Sequence, residues 1–130
     1  PRFGDKTLYV RPRKMDNATE QQAAICRRFG SAVVAPAPNL KVGIALATLS
    51  LSPLNALRHP PEGDTSGWYI WGGERLPDDP AFFQPLHLTH LSEYCASLLP
   101  YLALAPGWGV LIAQGHEDVW YDKSLLNTEV

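Results

Sequence analysis

The run from Leu57 to Glu74, LRHPPEGDTSGWYIWGGE, constrains the chain more than any other stretch because it holds a forced reversal and an aromatic strand back to back. Pro60 and Pro61 fix φ and remove two donors, while Gly63 and Gly67 open positive φ, so the chain must turn around Glu62 and Asp64. Trp68 to Trp71 is aromatic or β-branched throughout. In a strand, successive side chains alternate, which sends Trp68 and Ile70 to one face and Tyr69 and Trp71 to the other. Leu54 to Arg58 is the natural antiparallel partner across the turn, and Gly72-Gly73 ends the strand.

The rest of the chain supplies one domain's worth of material. At 130 residues, 45% of them hydrophobic and 18% charged, it suffices for a single core. Residues 16–130 are expected to form one globular domain, with residues 1–15, ending at the only methionine, as an N-terminal extension. Ala23, Ile25, Cys26 and Phe29 suit a helix over 19–29, capped by Asp16, Asn17 or Thr19 and closed by Gly30. Leu91, Tyr94, Cys95 and Leu98 follow i, i+3, i+4, i+7 and predict a second helix, with Thr89 as cap and Pro100 as stop. Ser31–Ala35 is a short β-prone run, and Val42–Leu49 suits either a strand or a buried helix. Pro85–Leu88 reads as a short strand, and Trp108–Ala113 with Val119–Tyr121 as a hairpin joined at 114–116. Helices and strands alternate without regular βαβ spacing. The fold class expected is therefore α+β: a single domain with a mainly antiparallel sheet and about two packed helices.

Charge and cysteine use narrow the function. Residues 1–28 carry seven Lys/Arg against Asp5, Asp16 and Glu20, whereas residues 29–130 carry four against ten acids. An acidic body attracts basic partners and disfavours nucleic acid, whose phosphates need cationic neutralisation. No stretch reaches the roughly 18 apolar residues of a membrane span. No apolar segment follows the basic N-terminal residues, so a secretory signal is not expected, and two cysteines at helical apolar positions, Cys26 and Cys95, fit a reducing cytoplasm.

Specific chemistry is sparse. His87-x-x-His90-x-x-Glu93 has residue types a metal uses, but the spacing is generic and Pro85 argues against a helical His87. No Gly-x-Ser-x-Gly elbow occurs, and the glycines lack a phosphate-binding pattern, so no catalytic residue, metal or cofactor is assigned. Arg58 and His59 facing Glu62 and Asp64 across the loop form a candidate structural clamp, the guanidinium holding carboxylates or loop carbonyls. Any exposed tryptophan beside Asp78-Asp79 or Glu117-Asp118 would make an aromatic anchor with a charged rim.

Four segments together carry a resemblance: Asn39-Leu40-Lys41-Val42-Gly43-Ile44-Ala45, Leu57-Arg58-His59-Pro60, Ser66-Gly67-Trp68-Tyr69-Ile70-Trp71-x-Gly73-Glu74, and Glu117-Asp118-Val119-Trp120-Tyr121. Over residues 26–126 the chain resembles the bacterial immunity-protein thirty-three domain family. That resemblance implies a cytoplasmic protein encoded beside a polymorphic toxin, which it inhibits by stoichiometric binding rather than by catalysis. The acidic body agrees with a basic toxin as partner. The expected contact surface is acidic and aromatic-edged, with Glu62, Asp64, Trp71, Glu74, Asp78, Asp79, Glu117 and Asp118 as contributors. The alternative is an enzyme or small-ligand domain with a His/carboxylate pocket between the Arg58–Glu74 hairpin and the helix carrying His90.

Overall fold

The computed structural model describes residues 14–127, so the predicted N-terminal extension falls almost wholly outside the described residues. Among them, one α-helix, α1 (Lys14–Phe29), precedes strands β1 (Lys41–Ile44), β2 (Leu54–Arg58), β3 (Thr65–Gly72), β4 (Gln84–His87), β5 (Trp108–Ala113) and β6 (His116–Tyr121). Short 3-10 helices occupy Leu46–Thr48, Leu88–Glu93, Ala96–Tyr101 and Lys123–Leu126. The six strands form one sheet in the order β4-β1-β3-β2-β5-β6. All pairings are antiparallel except β1 with β3, giving the α+β domain expected.

The predicted hairpin forms, with Leu54 opposite Gly72 and Arg58 opposite Trp68. Gly67 has φ +93°, and a Cβ there would stand 1.9 Å from the His59 carbonyl oxygen, so only glycine lets the two strands approach. The alternation of β3 holds as well: Trp68 and Ile70 are 1% and 0% exposed. With Val42, Ile44, Ala56 and Val110 they meet Cys26 of α1 and Leu91, Cys95, Leu98 and Leu104 from the segment that follows β4. The Trp68 indole N–H donates to the Leu102 carbonyl at 3.0 Å, satisfying its one donor inside the core.

Three local expectations are corrected. The first helix begins at Lys14, so Asp16, Asn17 and Thr19 lie inside it rather than capping it. Its end is where the sequence puts it, with Gly30 at φ +90° and the amides of Gly30 and Ser31 both donating to the Cys26 carbonyl. The Leu91–Leu98 helix does not form as one α-helix. Two 3-10 helices stand there, and Pro100 lies inside the second. Leu91, Cys95 and Leu98 are still buried, but the chain extends at Cys95 (φ −145°, ψ 67°), and Tyr94 turns out to solvent. The burial requirement is met without the regular helix that would normally meet it. Finally, Val42–Leu49 divides into β1 and a 3-10 turn instead of one element.

Candidate partner-binding surface

Arg58 fixes the frame on which the surface is built. Its side chain points into the helix-covered side of the sheet and is 2% exposed. Nε donates to the Ser66 carbonyl at 3.2 Å, and one terminal nitrogen donates to the carbonyls of Val34 (2.6 Å), Leu104 (2.6 Å) and Leu102 (3.3 Å). The guanidinium lies over the Trp68 ring, 5.6 Å from its centroid. Burial pushes its pKa down to about 10, still far enough above neutrality to keep it charged. It therefore clamps backbone carbonyls of three segments, not the carboxylates of Glu62 and Asp64. His59 points the other way: Nδ1 faces the Leu125 carbonyl at 2.9 Å and its ring packs edge-on against Tyr69.

On the second face of the sheet, Leu57, Tyr69, Leu111 and Trp120 remain partly exposed. Glycines let the aromatic rings lie flat across neighbouring strands. A Cβ on Gly43 would come within 2.6 Å of the Tyr69 ring, and one on Gly109 within 2.6 Å of the Trp120 ring. Phe83 packs edge-on against both Tyr69 and Trp71, with ring centroids 5.2 and 6.1 Å away. Trp71 is 8% exposed, so this expected contributor is buried beneath Phe83 rather than presented to solvent.

The predicted acidic contributors fall in three places rather than on one face. Glu62 and Asp64 precede β3, whereas Glu74, Asp78 and Asp79 follow it, and an eight-residue strand separates the two groups by about 26 Å at about 3.3 Å per residue. Asp64 is held by Lys41 at 2.8 Å, and that hydrogen-bonded ion pair holds its carboxyl below the usual range. Glu117 and Asp118 sit on β6 and split across the sheet. Asp118 is opposite Leu111 and exposed, whereas Glu117 is opposite Ile112 on the helix side. There Glu117 pairs with Arg28 of α1 at 3.0 Å and accepts a hydrogen bond from the Tyr101 hydroxyl. Glu117 is thus engaged in tertiary structure and is not free for a partner.

Beyond β3 the chain forms a groove of about 500 Å³. Gly72 and Gly73 line it together with Leu51, Phe82, Glu74 and Arg75. Leu51 is 55% exposed, and Leu76, between two lining residues, is 52% exposed. Sequence reasoning marked Asp78–Phe83 as an acidic turn followed by an aromatic anchor but missed Leu51 as a surface residue. The available signal was a leucine isolated between serines in a turn-forming segment, Ser50-Leu51-Ser52-Pro53.

The histidine motif does not assemble. His90 pairs with Glu93 at 3.2 Å, and the His87 and His90 rings are 6.4 Å apart between centroids. Among the described residues no three of His, Cys, Asp and Glu come together as a metal would require. Nor does His59 share a pocket with His90: its cleft is lined by Pro60, Glu62, Thr65, Tyr69 and Asn127. Cys26 and Cys95 are free thiols, and burial pushes both pKa values up, away from the reactive thiolate. No helix of the described residues is long and apolar enough to cross a membrane.

Comparison with known families gives one match: the sequence profile of the Imm33-like domain aligns with residues 21–122. That span contains all six strands and the groove, and it begins within α1. No curated protein and no solved structure matches the chain.

Proposed function

This chain belongs to the Imm33-like domain family, and from that membership we propose that it is an immunity protein, neutralising a cognate bacterial toxin in the cytoplasm by one-to-one binding rather than by turning over a substrate. The family supports the inhibitory role. The acidic character of the contact surface is supported by a single observation, the unequal engagement of cations and carboxylates. Arg28 is paired with Glu117, Lys41 with Asp64, and Arg58 is buried among carbonyls. Glu62, Glu74, Asp78 and Asp118 are exposed and have no cationic partner among the described residues. Exposed carboxylates without a cationic partner thus outnumber the exposed unpaired cations, Arg27, Arg75 and Lys123, among the described residues. A surface of that kind accelerates encounter with a basic protein and repels nucleic acid.

The binding sites of such a surface lie at the ends of β3 and along β6, with Glu74, Asp78 and Asp79 beside the aromatic Phe82 as the principal group. Co-expression with the toxin encoded beside it tests the reading. The expected outcome is rescue of growth together with a complex of equal stoichiometry that survives gel filtration. Rescue without a complex would point to chemical modification or removal of the toxic product, and would return attention to the His59–Tyr69 cleft.

A further inference from the structure

We propose that the groove at the exit of β3 is a docking pocket for a large apolar side chain presented within a basic segment of the partner protein. The proposal deepens the immunity reading and rests on it. Three observations carry it: a pre-built concavity, apolar walls left in water, and an excess of carboxylates on the 74–82 segment that bounds it.

The concavity is held open by hydrogen bonds that need no partner. The Gly72 amide donates to the Thr48 hydroxyl at 2.8 Å, and the Gly73 amide donates to the Pro53 carbonyl at 2.7 Å. The buried amide of Asn55 donates to the carbonyls of Gly73 at 2.8 Å and Trp71 at 3.2 Å, pinning the strand exit from beneath. Side chains are excluded from the floor. A Cβ on Gly72 would stand 2.1 Å from the Thr48 carbonyl oxygen, and one on Gly73 would stand 3.2 Å from Leu51. A site fixed in advance spends little ordering entropy when it is filled.

Leu51 and Phe82 wall the groove, and Leu46 and Leu76 lie exposed on the segments that form it. Folding does not bury these leucines, and clustered exposed apolar surface with a polar rim is characteristic of contact sites. Glu74 and Arg75 both line the groove, and Asp78 and Asp79 are exposed on the short stretch between the lining residues Pro77 and Phe82. Three carboxylates to one guanidinium select lysine or arginine flanking the apolar residue. An acidic or neutral segment would leave those carboxylates without counter-charge.

The test uses the full chain, isotopically labelled for NMR, and three pentapeptides: leucine flanked by two lysines on each side, serine in the same setting, and leucine flanked by glutamates. The lysine-leucine peptide is expected to shift amides of residues 48–52 and 72–82 and to bind about tenfold more tightly than the serine control, the range one buried apolar side chain supplies. Leu51→Ser and the double variant Asp78→Lys/Asp79→Lys should each weaken it by about tenfold while leaving distant amides unmoved, which shows that both variants fold. Equal binding of the serine peptide, shifts centred elsewhere, or no shifts at millimolar peptide would overturn the proposal. So would shifts of the same amides with the chain's own concentration, since a second copy would then be the occupant. Toxin rescue separates this proposal from the reading beneath it. Full rescue and unaltered affinity in both variants would remove the groove and leave the immunity role, whereas peptide binding without any toxin complex would do the reverse.

Discussion

Arg58 shows how one side chain can be indispensable without touching a partner. Its removal takes the side-chain donor from the carbonyls of Ser66 and Leu104 in the interior and of Val34 at its edge, while the Leu102 carbonyl keeps the Trp68 indole. Buried unsatisfied groups cost about 1–3 kcal/mol each, though relaxation and water entry keep such losses from adding fully. Arg58→Ala is expected to lower unfolding free energy by about 4 kcal/mol in urea titration. Arg58→Lys should lose about half as much, because an ammonium lacks the planar fork. A loss below about 1 kcal/mol for alanine would mean the carbonyls are satisfied otherwise. The two loop glycines make a sharper comparison. Gly63 has φ +60° with open space around its missing Cβ, whereas Gly67 would drive a Cβ into the His59 carbonyl. Gly63→Ala should cost about 1 kcal/mol from its left-handed conformation alone. Gly67→Ala should cost about 3 kcal/mol or more, because the strands must separate.

At the scale of elements, the Arg28–Glu117–Tyr101 cluster joins α1, the Ala96–Tyr101 turn and β6. Burial, with the Glu117 hydrogen bond and charge behind it, pushes the Tyr101 hydroxyl up to about 12 from its usual 10. Its folded pKa lies above the unfolded one. The associated stability is therefore fully present below about pH 10 and is lost as pH rises from about 10 to about 12. Phenolate absorbance should show one tyrosine titrating near pH 12, and Glu117→Gln should bring it part of the way back, since burial remains. No change in that variant would mean the carboxylate has no part in the shift. The same scale explains the second helical segment. Leu91, Cys95 and Leu98 satisfy the helical spacing and are buried, yet the sheet is covered by two 3-10 turns because contacts with the core decide the backbone path.

For the molecule as a whole, charge placement governs the rate of partner encounter. Reversing Asp78 and Asp79 to lysine changes the field at one end of the sheet without touching a buried group. Association with a basic toxin at low salt should slow by about threefold to tenfold, and its dependence on ionic strength should flatten. Unaltered association at low salt would place the encounter surface elsewhere, with Asp118 on β6 or Glu62 before β3 as the next sites. Reversing Glu117 is a different experiment, because it breaks the link to α1 and would confound binding with stability.

By itself the sequence determined those features whose causes lie within a few residues. Pro60-Pro61 with Gly63 and Gly67 specified the β2–β3 reversal, alternation placed Trp68 and Ile70 in the core, and Gly30 ended α1. Gln114-Gly115 likewise made the β5–β6 hairpin, β6 beginning three residues earlier than its apolar pattern indicated. Tertiary structure decided whatever depends on which distant segment arrives beside a residue. The parallel pairing of β1 with β3 arises because the β2–β3 hairpin folds back and sets β3 next to β1. Arg58 reaches carbonyls up to 46 positions away. Glu117 and Asp118, adjacent in the chain, point to opposite faces. The groove exists only where the turn after β1 meets the exit of β3. Local sterics act on any chain carrying those residues, whereas charge partners and concavities are properties of packing, which no window of sequence contains.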